Sequence, residues 1–448
     1  MSSFVERPRF TCALGGAIAT VSALPQTIHI VHAPPGCAGN LAWTQAGGCG
    51  LQVGGYCGGL SMPGTNVQER EVVFGGGERL AEQVENTLKV MDGKLYFVLT
   101  SCVTEMIGDD VGSVVNPLAE AGVPILYAET GGFRGNSYRG YELVLESLLQ
   151  NYVPASPVKQ RKKVNLWGIA PYFDVFWRGN LLELRALLTK LGLEVNAFFT
   201  VDDSLEGIRQ AGSAELNIVV SDVLGWQAAD LSKEIHDIPY LIAPLPIGPS
   251  AASEFLTNVA TRLDLPLKET QALIRRENQR YYQLLDPLTD CFNDMDLQRY
   301  FAVVADSNYA SSITRFLADD LGWLPEAVVV TDILDDAQQQ RVAARGTGLQ
   351  SGLSPKIFFD ADTSTIRNKV YSHWRNRSGD GGKYSNPPAP AFVIGSSLER
   401  ELAKDLSAAH LSVSFPVANR AVLNRGYTGF NGGLCLVEDL VSAIISAR

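Results

Sequence analysis

Three cysteines, Cys12, Cys37 and Cys102, are the residues best suited to chemistry, because each lies beside an apolar segment and small neighbours. Cys37 lies in HAPPGCAGN after the apolar run TIHIVHA, and Cys102 lies in TSCVTEMIGDD after KLYFVLTS. Thiolates are soft ligands that suit iron–sulfur clusters. The spacing is neither the C-x₂-C-x₂-C run of a ferredoxin nor a zinc C-x₂-C pair. Spacing alone therefore leaves open that these are small buried residues.

Three acids, Glu105, Asp109 and Asp110, follow Cys102 directly. We expect them to cap the N-terminus of a helix over residues 105–115, where negative charge is favourable. A role of these acids in docking another protein is the alternative.

A glycine-rich segment, residues 46–64, contains eight glycines in 19 positions together with Cys49 and Cys57. Such a glycine density disfavours a helix. The segment is predicted to be a surface loop, or else to wrap a cluster or a subunit contact. Cys49 and Cys57 could bind metal, but no third ligand is evident, and Cys291 and Cys435 are predicted to be structural.

The elements that must position these residues alternate between short apolar runs and helical patterns, as in stacked βαβ units. With 448 residues, the chain is long enough for about three domains. The prediction is an α/β fold of three doubly wound parallel-sheet domains over 1–155, 160–290 and 295–448, with a linker over 152–163. Ligands of such sheets bind at the C-terminal ends of the strands.

The predicted strands cover residues 27–33, 94–101, 124–129, 164–170, 195–200, 217–221, 239–246, 301–306, 327–332, 356–362, 391–397 and 411–417. The predicted helices include residues 78–91, 180–191, 227–235 and the long connector 267–285. Residues 378–390 are predicted to form a surface loop.

The net charge of −11 argues against a nucleic-acid or anionic-membrane partner, since both require a basic face. No run of 18 uninterrupted apolar residues is present, so no membrane span is predicted. The seven cysteines form an odd number, which fits reduced thiols or metal ligands in a cytosol. No signal peptide is visible, and we expect a cytoplasmic protein.

Several motifs resemble the component 1 proteins of the nitrogenase superfamily. They are the H-x-P-P-G-C turn, TSCVTEMIGDDVGSVV, FGGGERL, PLPIGPSAASEFL and FPVANRAVLNRGYTGFNGGLCLVEDL. The resemblance covers nearly the whole chain. It implies three doubly wound domains, in agreement with the block pattern.

The resemblance further indicates a β-type subunit. In such subunits, thiolates at the positions matching Cys12, Cys37 and Cys102 supply half of a P-cluster, an [8Fe-7S] centre shared between subunits; a [4Fe-4S] cluster is the alternative. Cys37 follows Cys12 by the 25 residues typical of this pattern. A serine that ligates the cluster in some β subunits is replaced here by Gly132.

The catalytic cofactor of the family is held by α-type subunits through one Cys and one His. The matching positions here are Ser221 and about Asn419, and none of the five histidines falls in that loop. The resemblance therefore implies no catalytic residue in this chain. It implies a homologous α-type catalytic subunit, an α₂β₂ assembly and an ATP-dependent iron protein that supplies electrons.

The glycine-rich segment departs from ordinary nitrogenase β subunits, which carry an aromatic and basic helical segment after the Gly-Cys turn. This departure favours a nitrogenase-like reductase of the methylthio-alkane reductase type, which cleaves C–S bonds to thiol and hydrocarbon. The alternatives are a true dinitrogen-reducing nitrogenase, a tetrapyrrole reductase and a cofactor-assembly scaffold of the same superfamily. A solute-binding protein is disfavoured by the missing signal peptide.

Overall fold

A computed structural model describes residues 5–53, 62–376 and 388–447 of the chain. Within these residues the chain forms strands that are short, mostly buried and rich in β-branched and aromatic residues, as expected for parallel sheets covered on both faces. The strands are β1 Thr27–His32, β2 Leu95–Thr100, β3 Ile125–Ala128, β4 Gln160–Trp167, β5 Glu194–Asn196, β6 Ala214–Val219, β7 Tyr240–Ile242, β8 Tyr300–Ala305, β9 Leu324–Val330, β10 Lys356–Phe359, β11 Ala391–Gly395 and β12 Ala409–Ser412.

Helices connect and cover these strands. They are α1 Ala13–Ala23, α2 Pro35–Gly48, α3 Glu69–Phe74, α4 Gly77–Val90, α5 Cys102–Met106, α6 Val111–Glu120, α7 Ser137–Asn151, α8 Trp177–Lys190, α9 Leu205–Arg209, α10 Trp226–His236, α11 Gly248–Arg262, α12 Leu267–Leu285, α13 Pro287–Asp294, α14 Ser307–Arg315, α15 Asp336–Thr347, α16 Thr363–Asn376, α17 Arg400–Asp405 and α18 Gly429–Ser446.

The described strands form three parallel sheets with the orders β1-β2-β3, β5-β4-β6-β7 and β10-β9-β8-β11-β12. Parallel neighbours need crossover connections, and the helices supply them. The second and third sheets grow in both directions from their first strands, β4 and β8, whereas the first sheet advances in one direction. The predicted α/β fold with parallel sheets is confirmed. The three sheets occupy residues 27–128, 160–242 and 300–412, and the exact domain limits stay a prediction.

Several predicted element boundaries are wrong; the strands predicted over 239–246, 356–362 and 411–417, for example, end at Ile242, Phe359 and Ser412. The predicted linker 152–163 contains the start of β4, because Gln160 already pairs with Ala214 ahead of a bulge in the β4–β6 ladder. The predicted strand 195–200 stops at Asn196, since Phe198 adopts φ 70° and the Asp203 carboxylate accepts a hydrogen bond from the Thr200 amide at 2.8 Å. The connector helix over 267–285 forms as predicted.

The C-terminal helix α18 is the one helix of the described residues that is long and apolar enough to cross a membrane, judged by length and composition. It packs against α8, α11 and α12, and its Leu436 and Leu440 are buried in the core. These contacts are those of a core helix. The predicted loop over 378–390 lies outside the described residues up to position 387.

Candidate metal centre

The three cysteines predicted to bind a cluster all lie at helix starts. Cys12 is the N-cap of α1, Cys37 is the third residue of α2, and Cys102 is the first residue of α5. Backbone amides at helix N-termini lack partners within the helix and attract negative charge. Each of the three residues is only partly buried, so their sulfurs lie near the protein surface.

The first sheet brings Cys37 and Cys102 to one edge. Strands β1 and β2 are parallel neighbours, with His32 opposite Thr100 at their C-terminal ends. Cys37 follows the first of these ends and Cys102 the second. The side chains that leave adjacent parallel strands therefore meet at the same edge of the sheet.

Cys12 reaches this edge because α1 packs very closely on α7. A Cβ atom at Gly16 would lie 1.8 Å from the Ser137 carbonyl oxygen, and one at Gly140 would lie 2.0 Å from the Ala13 carbonyl oxygen. Only glycine permits so close an approach of two backbones. The contact continues as an isolated bridge between Cys12 and Asn136, which places the start of α1 against the turn that precedes α7.

Gly132 lies between two of the sulfurs. A Cβ atom at this position would lie 3.0 Å from Cys102 Sγ, 3.1 Å from Cys12 Cβ and 3.8 Å from Cys12 Sγ. The Gly132 amide donates a hydrogen bond to Cys102 Sγ at 2.8 Å. Amide donors to cluster sulfurs are among the groups that set the reduction potential. As a glycine, this residue leaves space between the thiols and supplies no oxygen ligand.

Cys37 completes the group. Burial raises the pKa of the Cys37 thiol, and the negative charges of Cys12 and Cys102 raise this pKa further. Bound iron would remove this repulsion, because a metal neutralises the charge of its thiolate ligands.

The described ranges contain no group of three His, Cys, Asp or Glu side chains arranged to hold a single metal ion. A soft, all-sulfur donor set around a space that a Cβ atom would fill suits a cluster of several irons, whose ligands need not converge on one point. The donor chemistry therefore fits an iron–sulfur cluster.

The predicted helix over 105–115 is broken, and only one of the three acids caps a helix. Gly108 adopts φ 81° and separates α5 from α6, and the Asp110 carboxylate accepts a hydrogen bond from the Ser113 amide at 3.0 Å as the N-cap of α6. Glu105 instead accepts hydrogen bonds from the Gly131 amide and from Arg134 Nε, both at 2.6 Å. It therefore fixes the turn that carries Gly132.

Asp109 is bound to residues from two other segments. Its carboxylate accepts a hydrogen bond from the Gly76 amide at 2.7 Å and lies 2.9 Å from His32 Nε2. This role of His32 was not predicted from the sequence. His32 begins the H-x-P-P-G-C motif, and Asp109 belongs to the acid pair after Cys102. That both motifs also carry a cysteine was the sequence signal that could have linked the two residues.

The glycine-rich segment is not a surface loop over its first residues. Residues 46–48 belong to α2, and a Cβ atom at Gly48 would lie 2.5 Å from the Phe415 ring. Cys49 is fully buried and bridges to Val417. Core packing against the third sheet thus outweighs the low helix propensity of glycine here. Cys57 lies outside the described residues, and within the described ranges Cys49 belongs to no group of three side chains that could hold a metal ion.

The two positions that the resemblance matches to α-type cofactor ligands each make contacts within the protein. The buried Ser221 hydroxyl donates to Asn308 Oδ1 at 2.6 Å and accepts from the Val223 and Leu224 amides. One donor and two acceptor positions are all that a hydroxyl offers. Asn419 Oδ1 accepts a hydrogen bond from the Ser397 hydroxyl at 3.0 Å.

Fold and site together define an α/β protein of three parallel sheets with three cysteines near the edge of the first sheet. Residues 12–445 match the family Nitrogenase component 1 type Oxidoreductase, and the chain belongs to this family.

The relatives include several kinds of component 1 protein. The nitrogenase iron-molybdenum cofactor biosynthesis protein NifE of Nostoc sp. is 30% identical over 59% of this chain and 54% of its own length. The nitrogenase molybdenum-iron protein alpha chain of Methanosarcina barkeri is 25% identical over 60% of this chain and 51% of its own length. The chain thus spans about half the length of these two relatives. The molybdenum-iron protein beta chain of Sinorhizobium fredii is 23% identical over 99% of this chain and 84% of its own length.

A solved structure titled nitrogenase Cp1 at pH 6.5 superposes with a TM-score of 0.78. The superposition covers 100% of this chain and 94% of that chain at 17% sequence identity. At this identity the likeness concerns the fold, and it agrees with the three-sheet architecture.

Proposed function

We propose that this chain is the β-type subunit of a nitrogenase-like, two-component, ATP-dependent reductase. In this proposal Cys12, Cys37 and Cys102 hold one half of a P-cluster of the [8Fe-7S] type, or alternatively a [4Fe-4S] cluster. The observation that carries the proposal is the approach of Cys12 and Cys102 across Gly132, with Cys37 at the same sheet edge as Cys102. Such a cluster, when bound, supplies reversible one-electron transfer.

The protein groups around the thiols have defined tasks in this proposal. Cys12, Cys37 and Cys102 bind iron as thiolates. The Gly132 amide donates its hydrogen bond to the Cys102 sulfur and so stabilises the charge on that sulfur. Glu105 holds Gly131 and Arg134 in place, and the turn that presents the amide is thereby kept rigid.

The proposed partner at this site is a homologous α-type subunit that supplies the remaining cluster ligands and the catalytic cofactor. Large apolar side chains flank the thiols on the surface: Met106 is 77% exposed and Phe133 is 62% exposed. Exposed apolar groups beside a functional site are typical of a protein interface. An α₂β₂ assembly in the cytoplasm, reduced by an iron protein that hydrolyses ATP, completes the proposal.

A β-type role, rather than an α-type role, is supported by Ser221 and Asn419. By resemblance both stand where an α-type subunit has its cofactor ligands, and the Ser221 hydroxyl uses all of its hydrogen-bonding positions within the protein. The comparison with relatives also favours a β-type role, since the nitrogenase molybdenum-iron protein beta chain of Frankia alni is 23% identical over 98% of this chain. The two observations favour electron transfer in this chain and catalysis in its partner.

A scaffold that assembles the cofactor is the second candidate. The 30% identity to NifE of Nostoc sp. favours it. The chain retains all three thiols, whereas a scaffold often lacks some of them, and this retention favours the reductase. Transfer of a bound cluster from this chain to an acceptor protein would identify a scaffold, and repeated turnover with the cluster retained would identify a reductase subunit.

The proposed reaction is reductive cleavage of a C–S bond in a methylthio-alkane to thiol and hydrocarbon, with dinitrogen reduction as the alternative. The proposal is based on residues 46–64, whose sequence differs from that of ordinary β subunits. Because residues 46–48 lie in helix α2, the difference is confined to the residues after Gly48. The test is an anaerobic assay of the complex, co-purified with its α-type partner, with ATP, an iron protein and either dinitrogen or a methylthio-alkane. Hydrocarbon release supports the proposed reaction, and ammonia as the product overturns it.

The β-type role itself is tested by co-expression with the α-type chain. Intact mass measurement should give a complex of both chains, and electron paramagnetic resonance should detect a cluster that is absent when either chain is purified alone. A monomeric chain without iron under these conditions would contradict the proposal.

A further inference from the structure

His32, the last residue of β1, contacts both ends of the segment that carries Cys102. The His32 carbonyl oxygen accepts hydrogen bonds from the Ser101 amide at 3.1 Å and from the Thr104 hydroxyl at 3.0 Å. The His32 ring, on the other side, lies 2.9 Å from the Asp109 carboxylate. The segment 101–109 is therefore attached to a single buried residue before and after its thiol.

The His32 ring is held on both nitrogens. Nε2 faces Asp109, and Nδ1 lies 3.0 Å from the Thr65 hydroxyl. The His32 side chain is fully buried and that of Asp109 is 4% exposed. A carboxylate that orients a histidine in this way fixes its tautomer and its ring plane. Little freedom is left for the loop between Cys102 and Asp109.

Asp109 extends the connection to a third segment. Its second oxygen accepts the Gly76 amide, directly before α4, at 2.7 Å. A Cβ atom at Gly76 would lie 2.6 Å from Asp109 Oδ2 and 3.0 Å from His32 Cε1, so glycine is required there. Phe74, two residues earlier, is 83% exposed. The pair thus joins the thiol loop to a surface segment.

We propose that His32 and Asp109 are a positioning pair that fixes Cys102 relative to Cys37 and links its loop to the surface segment 72–76. Neither residue touches the thiols, and neither is proposed to bind iron or to carry protons. The consequence for a cluster rests on the proposed function, whereas the placement of the Cys102 thiol does not.

The test measures the alkylation rate of each cysteine by mass spectrometry in the full-length chain prepared without metal. Asp109→Ala removes the bonds to His32 and Gly76. It should raise the rate at Cys102 about tenfold relative to that at Cys291, the effect of losing one charged hydrogen bond. Asp109→Asn keeps the shape and an acceptor for the Gly76 amide, and its rate should stay within about twofold of the wild type.

Asp110→Ala is the matched control, because Asp110 is the adjacent acid and caps α6 without contacting His32. Its Cys102 rate should equal that of the wild type. If Asp109→Ala does not fold, Thr65→Val perturbs the same histidine more mildly and should raise the rate in the same direction. An unchanged Cys102 rate in the folded variant, or an equal rise in Asp110→Ala, would overturn the proposal.

A second readout separates this inference from the proposed function. The resonance spectrum of the iron-loaded complex should change in Asp109→Ala and return in Asp109→Asn at similar melting temperatures. If no iron binds to the wild-type complex, the proposed function fails, and the alkylation rates still decide whether the pair positions Cys102.

Discussion

The Gly132 amide and the Cys102 sulfur are 2.8 Å apart, and the amide donates to the sulfur. This contact joins the turn before α7 to the start of α5, and it depends on the absence of a side chain at position 132. The same glycine also leaves the space between Cys102 and Cys12, which is where the proposed cluster would bind.

A methyl group at position 132 should therefore damage the site. Gly132→Ala would place a Cβ atom 3.0 Å from Cys102 Sγ, closer than ordinary van der Waals contact. We expect iron content per complex to fall by at least half, and stability to fall by about 1 to 3 kcal/mol from overpacking. Metal analysis and thermal melting measure the two effects.

Gly39→Ala is the control, since nothing lies within 4 Å of a Cβ atom there and the residue is inside α2. It should keep the iron and raise stability by about 0.5 to 1 kcal/mol through helix propensity. Equal iron in both variants would show that the space at Gly132 is not part of the site.

A buried carboxyl group should make stability fall with rising pH. Burial, together with the negative charge of the neighbouring Asp306, raises the pKa of Asp332 to about 7. Asp332 Oδ2 accepts the Ser307 amide at 2.8 Å, whereas no partner for Oδ1 is found among the described residues. The folded state therefore holds a proton that the unfolded state, with a pKa of about 3.9, releases.

Between about pH 4 and pH 7 the folded state binds more protons than the unfolded state, so this contribution to stability is present at low pH and is lost as the pH rises to 7. Asp332→Asn should flatten the decline of the melting temperature between pH 5 and pH 8. It should also stabilise the protein at pH 8 by about 1 to 3 kcal/mol. Asp290→Asn, at an exposed acid of α13, should leave the profile unchanged. A steeper decline in Asp332→Asn would contradict the assignment.

The segment before α1 is fixed to the third sheet by a buried ion pair. Arg9 contacts Glu399 through two nitrogens, one of them at 3.0 Å, and the side chains are 4% and 3% exposed. Arg9→Met should cost about 3 to 5 kcal/mol, because the Glu399 charge is left buried and unpaired. Thermal melting measures the loss.

The double variant Arg9→Met with Glu399→Gln should recover at least half of that loss, since the unpaired charge is removed. The exposed pair Lys89 with Glu85, at 63% and 68% exposure, is the comparison, and Lys89→Met should cost less than about 1 kcal/mol. Equal losses of stability at the two ion pairs would show that burial does not determine how much each pair contributes.

Local pattern was sufficient for much of the fold. The apolar runs at β1, β2 and β8 are bounded by residues that break strands, and the apolar spacing of α12 is regular enough to give both of its ends. Cys37 and Cys102 could be placed at one sheet edge because both follow strand ends, whereas the position of Cys12 depends on the packing of α1 on α7. The proposed role of the thiols as iron–sulfur ligands came from the resemblance to known component 1 proteins, because their spacing alone left that role open.

The remaining features depend on contacts between distant segments. Gly48 stays in a helix because it packs on Phe415, and Asp109 leaves the expected capping role because Gly76 and His32 bind it. No local window contains both partners of such a contact. Propensity and capping rules therefore failed where tertiary packing offered a stronger interaction.

The proposal that Cys12, Cys37 and Cys102 hold iron is tested most directly by comparing Cys102→Ser with Cys291→Ser in the complex purified without oxygen. Cys291 is a partly buried cysteine of α13, remote in sequence from the site, and is the matched control. Iron per complex and the resonance spectrum should change in Cys102→Ser and remain as in the wild type in Cys291→Ser. Unchanged iron content and spectrum in Cys102→Ser would contradict the account.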